Sequence, residues 1–113
     1  MEKFDVDYDI ENDSLFLYLK DKKSNGAIEM GNFIFDCDNR GDLIAMEVLE
    51  ASEIFKTVLY KMIELSKIKE FRADIVNFRN KNNIIRFNIE TDSVNERGSI
   101  IIPKVIESPA VNY

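Results

Sequence analysis

The chain opens on strict alternation. Phe4, Val6, Tyr8 and Ile10 fall on one side and Asp5, Asp7 and Asp9 on the other, the period-two pattern of a half-buried strand. Glu11-Asn12-Asp13-Ser14 is turn chemistry, because Asn and Asp tolerate left-handed geometry and bond their own backbone. Leu15, Leu17 and Leu19 then alternate with Phe16 and Tyr18, which predicts a second strand, apolar on both faces and more central than the first. Lys20 to Gly26 reads as a loop ending in the turn dipeptide Asn25-Gly26. A third strand covers Ala27 to Met30, or continues through the Gly31-Asn32 punctuation into Phe33-Ile34-Phe35-Asp36-Cys37. Asp38-Asn39-Arg40-Gly41 makes a tight connection to a further strand from Asp42 to Leu49. The first half therefore reads as a four-stranded antiparallel meander.

The period then changes. Ile54, Phe55, Val58, Leu59, Met62 and Leu65 recur at spacings of three and four, the stripe of an amphipathic helix. Ser52 suits its N-cap, and the helix is expected over residues 52–66, with Thr57 and Val58 as a weak point. Ile54, Val58, Met62 and Leu65 are expected across a sheet face. Strands return with Phe71, Ala73 and Ile75, where a slip of phase at Ile75-Val76 suggests a bulge. Asn80-Lys81-Asn82-Asn83 reads as a hairpin loop before Ile85, Phe87 and Ile89. Asp92 to Gly98 reads as a turn, Ser99 to Ile102 as a strand stopped by Pro103, and the stretch past Ile106 with Pro109 as an edge segment or frayed tail. The fold class is α+β, mostly antiparallel β with one central helix. A length of 113 residues fits one domain by the usual prior of roughly 100–150. Its parts would be a meander over 1–50, a helix over 52–66 and strands over 68–106.

Composition narrows the chemistry. There is no His, one Cys and a formal charge of −6, so imidazole catalysis is absent and no internal disulfide can form. The acidic balance opposes binding to phosphate backbones and anionic membranes. The chain starts without an apolar signal region, and the longest apolar run, Leu15 to Leu19, is far short of the ~20 residues that cross a bilayer. A cytoplasmic location is the expectation.

Three segments merit chemical attention. Asp36-Cys37-Asp38-Asn39-Arg40-Gly41-Asp42-Leu43, with Glu47 beyond, has the spacing of a calcium loop. Arg40 puts a cation where a ligand belongs, however, and the flanks read as strands, so a hairpin with Gly41 at positive φ is the plainer account. The row Asp5, Asp7, Asp9, followed by Glu11 and Asp13, points three carboxylates one way, about 7 Å apart; such a row holds a hard cation or forms a solvated face. The metal candidates are thus Asp9, Glu11, Asp13, Asp36, Asp38 and Glu47. Cys37 lacks a base and reads as a small buried hydrophobe. The seven serines form no nucleophile elbow, and the four glycines are too dispersed to cradle phosphate. No catalytic residue or cofactor is assigned, which leans away from an enzyme.

Two stretches carry a family likeness. Residues 8–17, Tyr8-Asp9-Ile10-Glu11-Asn12-Asp13-Ser14-Leu15-Phe16-Leu17, and residues 36–52, Asp36 through Met46-Glu47-Val48-Leu49-Glu50-Ala51-Ser52, resemble the two motifs of the domain of unknown function 2283 family over roughly residues 5–55. Phe16 stands where a Tyr is usual, Ala45 for Gly and Met46 for Ile. The resemblance implies a small antiparallel unit with a helix after Ala51-Ser52, and no reaction. Family members encoded beside small toxin-like proteins imply an antitoxin-type or partner-binding role. The expected function is a non-enzymatic protein-interaction or self-associating module, with a protein partner or homo-oligomer and neither nucleic acid nor membrane. The alternative is divalent-metal binding or metal-dependent activity on the surface carboxylates.

Overall fold

The computed structural model describes residues 1–78 and 82–103. Its elements are β1 (Glu2–Asp9), β2 (Ser14–Tyr18), β3 (Ala27–Met30), β4 (Phe33–Cys37), β5 (Leu43–Val48), α1 (Ala51–Leu59), a 3-10 turn (Leu65–Lys67), β6 (Glu70–Phe78), β7 (Asn82–Glu90) and β8 (Asn95–Pro103). All strands pair antiparallel in one curled sheet of order β3-β4-β5-β2-β1-β6-β7-β8. The fold is α+β, as the alternation and the single helical stripe predict.

β1 is the seam. Its Glu2–Phe4 end pairs with β6, and its Asp5–Asp9 end pairs with β2. The apolar side of the first half, Leu15, Leu17, Phe35, Met46 and Val48, thereby joins Phe71, Ala73, Ile85, Phe87 and Ile89 of the second in one core. α1 lies on the inner face of that second half. Phe55 meets the rings of Phe71 and Phe87 edge-on, at centroid distances of 6.4 and 5.3 Å, while those two rings stack at 5.9 Å.

Several details depart from the pattern reading. Gly31-Asn32 is a hairpin turn, since Met30 pairs with Phe33, so the first half has five strands. Their order is not a meander: the chain leaves β2 for the far edge and returns through β4 to lay β5 beside β2. The ladder irregularity sits between Asp36 and Cys37. Ile75-Val76, the expected bulge, lies in an uninterrupted β6–β7 register running from Glu70↔Glu90 to Phe78↔Asn82. Asn82 and Asn83, expected in a loop, belong to β7, and Asn95 to Gly98, expected in a turn, belong to β8. Asn80, Lys81 and the tail beyond Ile106 lie outside the described residues.

The helix is also shorter than its apolar stripe. It ends at Leu59 because Tyr60 adopts left-handed geometry, φ 58 and ψ 30, which turns the chain out of the helical path. Met62 is consequently 70% exposed, while Leu65 is buried from the 3-10 turn. Ala51 and Phe55 are the residues α1 buries fully. Ile10, expected on the buried side of the first strand, is 70% exposed because β1 has already ended at Asp9.

Candidate functional site

The two motif segments meet at the start of α1. Asp13 closes the β1–β2 connection in left-handed geometry, φ 51, which Asp adopts more readily than most residues. Its carbonyl accepts the Ala51 amide at 2.8 Å. Its carboxylate accepts the Ser52 amide at 3.1 Å, the Ser52 hydroxyl at 2.6 Å and the Tyr8 hydroxyl at 2.6 Å. A helix leaves its first amides without partners inside the helix, and here Glu50 makes no side-chain cap. Asp13 therefore caps α1 from another part of the chain. Ser52, expected as the N-cap, instead lies inside the first turn and donates to that distant carboxylate.

The neighbouring turns are clamped in the same way. The Asp9 carboxylate accepts the amides of Glu11 and Asn12 and the Asn12 side-chain nitrogen. Ser14 donates its hydroxyl to Glu47 at 2.8 Å. Asn32 and Leu49 exchange two hydrogen bonds, the Leu49 amide to the Asn32 carbonyl and the Asn32 side-chain nitrogen to the Leu49 carbonyl. Left-handed Glu50 then turns the chain into α1.

These contacts set the protonation states. Partial burial pushes the Asp13 carboxyl up, but the bonds from Ser52 and Tyr8 outweigh it and hold the group below its ordinary value. The bond to Asp13 is the main reason the Tyr8 hydroxyl is pushed up to about 12. Asp9 is held low chiefly by the Asn12 side chain. At the far hairpin the Asp38 carboxylate accepts the amides of Arg40 and Asp42 at 2.9 Å and is held low, with the Asp42 amide first. Gly41 has φ 86, so the calcium-like spacing is a strand-flanked hairpin.

The six metal candidates are divided by this architecture. Asp9, Glu11 and Asp13 belong to the β1–β2 connection, with Glu47 reached through Ser14. Asp36 and Asp38 lie toward the opposite end of β4–β5, where Cys37 pairs with Leu43. Leu43, opposite Cys37, lies four residues along β5 from Glu47, and Ala45, opposite Asp36, lies two, ~13 and ~7 Å at the usual strand rise. Among the described residues no group of three His, Cys, Asp or Glu side chains could hold a metal ion. Cys37 is half-buried, and burial, then the charges of Asp38, Asp36 and Asp42, push its thiol up, opposite to the activation a nucleophile needs. In a cleft of about 230 Å³ beside Asp38, Asp42 and Asp74, Asp38 is engaged by turn amides, Asp74 by Arg86, and Asp42 faces Arg40 at 3.9 Å.

These strands also have a face turned away from the core. Cross-strand pairing places Asp7, Phe16, Glu47, Ile34 and Glu29 in one row across five strands. The adjacent row is Asp5, Tyr18, Ala45, Asp36 and Ala27. Phe16 and Tyr18 stack at 5.1 Å along β2, and Phe16 remains 40% exposed. The sequence signal for this face is the doubly apolar β2, a central strand with one face open.

Comparison with known proteins agrees with the motif likeness. Residues 5–52 match the model of the family described as protein of unknown function (DUF2283). The chain is 28% identical over 88 residues to the uncharacterized protein MJ0789 of Methanocaldococcus jannaschii, a match covering 74% of this chain and 76% of that protein. It is 38% identical over 69 residues to a Methanosarcina mazei protein provisionally named a hypoxanthine phosphoribosyltransferase, covering 61% of this chain and 54% of that one. The chain thus spans about half the length of the latter relative. No solved structure matches. Among the described residues no helix is long and apolar enough to cross a membrane.

Proposed function

Since residues 5–52 match the model of the DUF2283 family, we propose that the chain serves as a non-enzymatic protein-interaction module. The observation that carries this reading is the open face of β3-β4-β5-β2-β1, where exposed Phe16 stacks on half-buried Tyr18 among acidic side chains. Aromatic side chains are among the groups that interfaces enrich. The polar clamps around Asp13 are spent on holding turns and α1 in place. The phosphoribosyltransferase name of the M. mazei relative is not carried over. That match covers only 54% of the relative's length. An antitoxin-type role is the narrowest form of the reading.

Native mass measurement across a dilution series, with capture from a lysate of the source organism, tests it. A stable dimer or a stoichiometric partner is the expected result; a strict monomer that retains nothing sinks it. The metal alternative is decided by melting curves with millimolar Ca²⁺, Mg²⁺ and Mn²⁺, because an ion bound only by the native state raises Tm.

A further inference from the structure

The charge of the open face selects its occupant. Adjacent strands are about 4.8 Å apart, so the carboxylates of Asp7, Glu47 and Glu29 recur every ~10 Å along their row. Phe16 and Ile34 fill the gaps between them. Two copies of the chain meeting through this face would set like charges against each other in a drying interface. On the outer face of the second half two arginines are already engaged, Arg72 by Glu70 and Arg86 by Asp74. One heptad of α-helix advances about 10.5 Å, close to the carboxylate repeat, and a cationic side chain over an aromatic ring gains a cation–π contact.

We propose that this face docks a basic amphipathic helix of a partner protein, with Lys or Arg one heptad apart over Asp7, Glu47 and Glu29 and apolar residues seated on Phe16 and Ile34. The proposal rests on the interaction-module reading and adds to it the chemistry and repeat of the partner.

The probe is a short fluorescein-labelled helical peptide with Lys one heptad apart and Leu between, read by anisotropy against the whole chain. A scrambled peptide of the same composition is the control. Phe16→Thr keeps a β-branched residue in the strand and all the charge, and it should weaken binding about tenfold. Joint Asp7→Asn, Glu29→Gln and Asp36→Asn should weaken it by at least about tenfold and flatten its salt dependence. Removing as many carboxylates elsewhere, by Glu53→Gln, Glu64→Gln and Asp92→Asn, should change affinity by less than about twofold. Melting curves confirm that each variant folds. Equal binding of the scrambled peptide, or equal loss from the distant carboxylates, means attraction by bulk charge and overturns the proposal. No peptide binding, together with an oligomeric state altered by Phe16→Thr, overturns the basic-helix occupant while the interaction-module reading stands. If neither peptide nor oligomer responds to Phe16→Thr, both readings fall.

Discussion

The two halves of the sheet are held together by different physics. In the first, short strands of four to eight residues are tied at their ends by side chains: Asp13 to Ser52 and Tyr8, Ser14 to Glu47, Asn32 to Leu49. In the second, three strands of nine residues each run in unbroken register around the rings of Phe71 and Phe87. α1 belongs to both, clamped by Asp13 at its start and buried through Phe55 on the second half. The family motifs coincide with the polar clamps because such clamps need particular donors and acceptors at fixed places. An apolar ladder accepts any well-packed side chain.

Breaking the second half should cost most. Phe87→Ala removes the ring on which Phe55 and Phe71 pack, and a loss of about 3–5 kcal/mol is expected from chemical denaturation. Protection from hydrogen exchange should fall along β6–β8 and α1 together.

The clamp comes next. Asp13→Ala strips the cap from α1 and puts Ala in left-handed geometry, for an expected loss of about 2–3 kcal/mol. Asp13→Asn keeps a residue suited to that geometry and isolates the charge. Because the Asp13 carboxyl titrates lower folded than unfolded, its stabilisation is complete above the ordinary carboxylate range and disappears as pH falls through the folded value. Stability curves of wild type and Asp13→Asn should therefore converge in acid. Tyr8 acts in the opposite sense. Its hydroxyl is raised from 10.0 to about 12, so its contribution is present below pH 10 and is lost as pH climbs through about 12. Tyr8→Phe should remove that alkaline limb and also shrink the acid one, because the Tyr8 hydroxyl helps hold the Asp13 carboxyl low.

Much of this was legible in the chain. Leu15, Leu17 and the Phe16–Tyr18 pair mark a central strand, and Ile85, Phe87 and Ile89 mark the buried side of β7. The motif residues could be read as a family mark, but their task could not. Asp13 meets Ser52 39 positions away, and only the return of β5 beside β2 brings them together. Tyr60 defeated the helical stripe because a left-handed stop without glycine leaves no trace in a hydrophobic pattern. Gly98 was read as turn chemistry, whereas in the middle of β8 it is needed for space.

That space defines a smaller test of how α1 meets the second half. A Cβ on Gly98 would sit 2.6 Å from Phe87 Cζ and 3.0 Å from Leu59 Cδ2, so Gly98→Ala must displace the aromatic ring and the last residue of the helix. The expected cost is about 1–2 kcal/mol, with near-ultraviolet circular dichroism reporting the ring displacement. The hydrogen bonds at Asp13 should survive, so its acid limb should remain in the Gly98→Ala background.

The smallest effect should come from the polar bond most like those of the first half but placed on the second. Asp74 and Arg86 face each other across β6–β7 and form a two-point pair on the outer surface. The bond from Arg86 is the chief reason Asp74 titrates low. Here, however, the ladder beneath already fixes both strands, and the Arg86 side chain is 54% exposed, so water screens most of the attraction. Asp74→Asn should lower Tm by about 3 °C at most. Its curve should also rejoin the wild type in acid, because a lowered carboxyl loses its contribution as pH falls through the folded value. Comparison with Asp13→Asn then separates what a carboxylate does from where it is placed. If Asp74→Asn destabilised as much as Asp13→Asn, the second half would depend on its polar contacts as the first does, and the contrast between apolar ladder and polar clamp would fail.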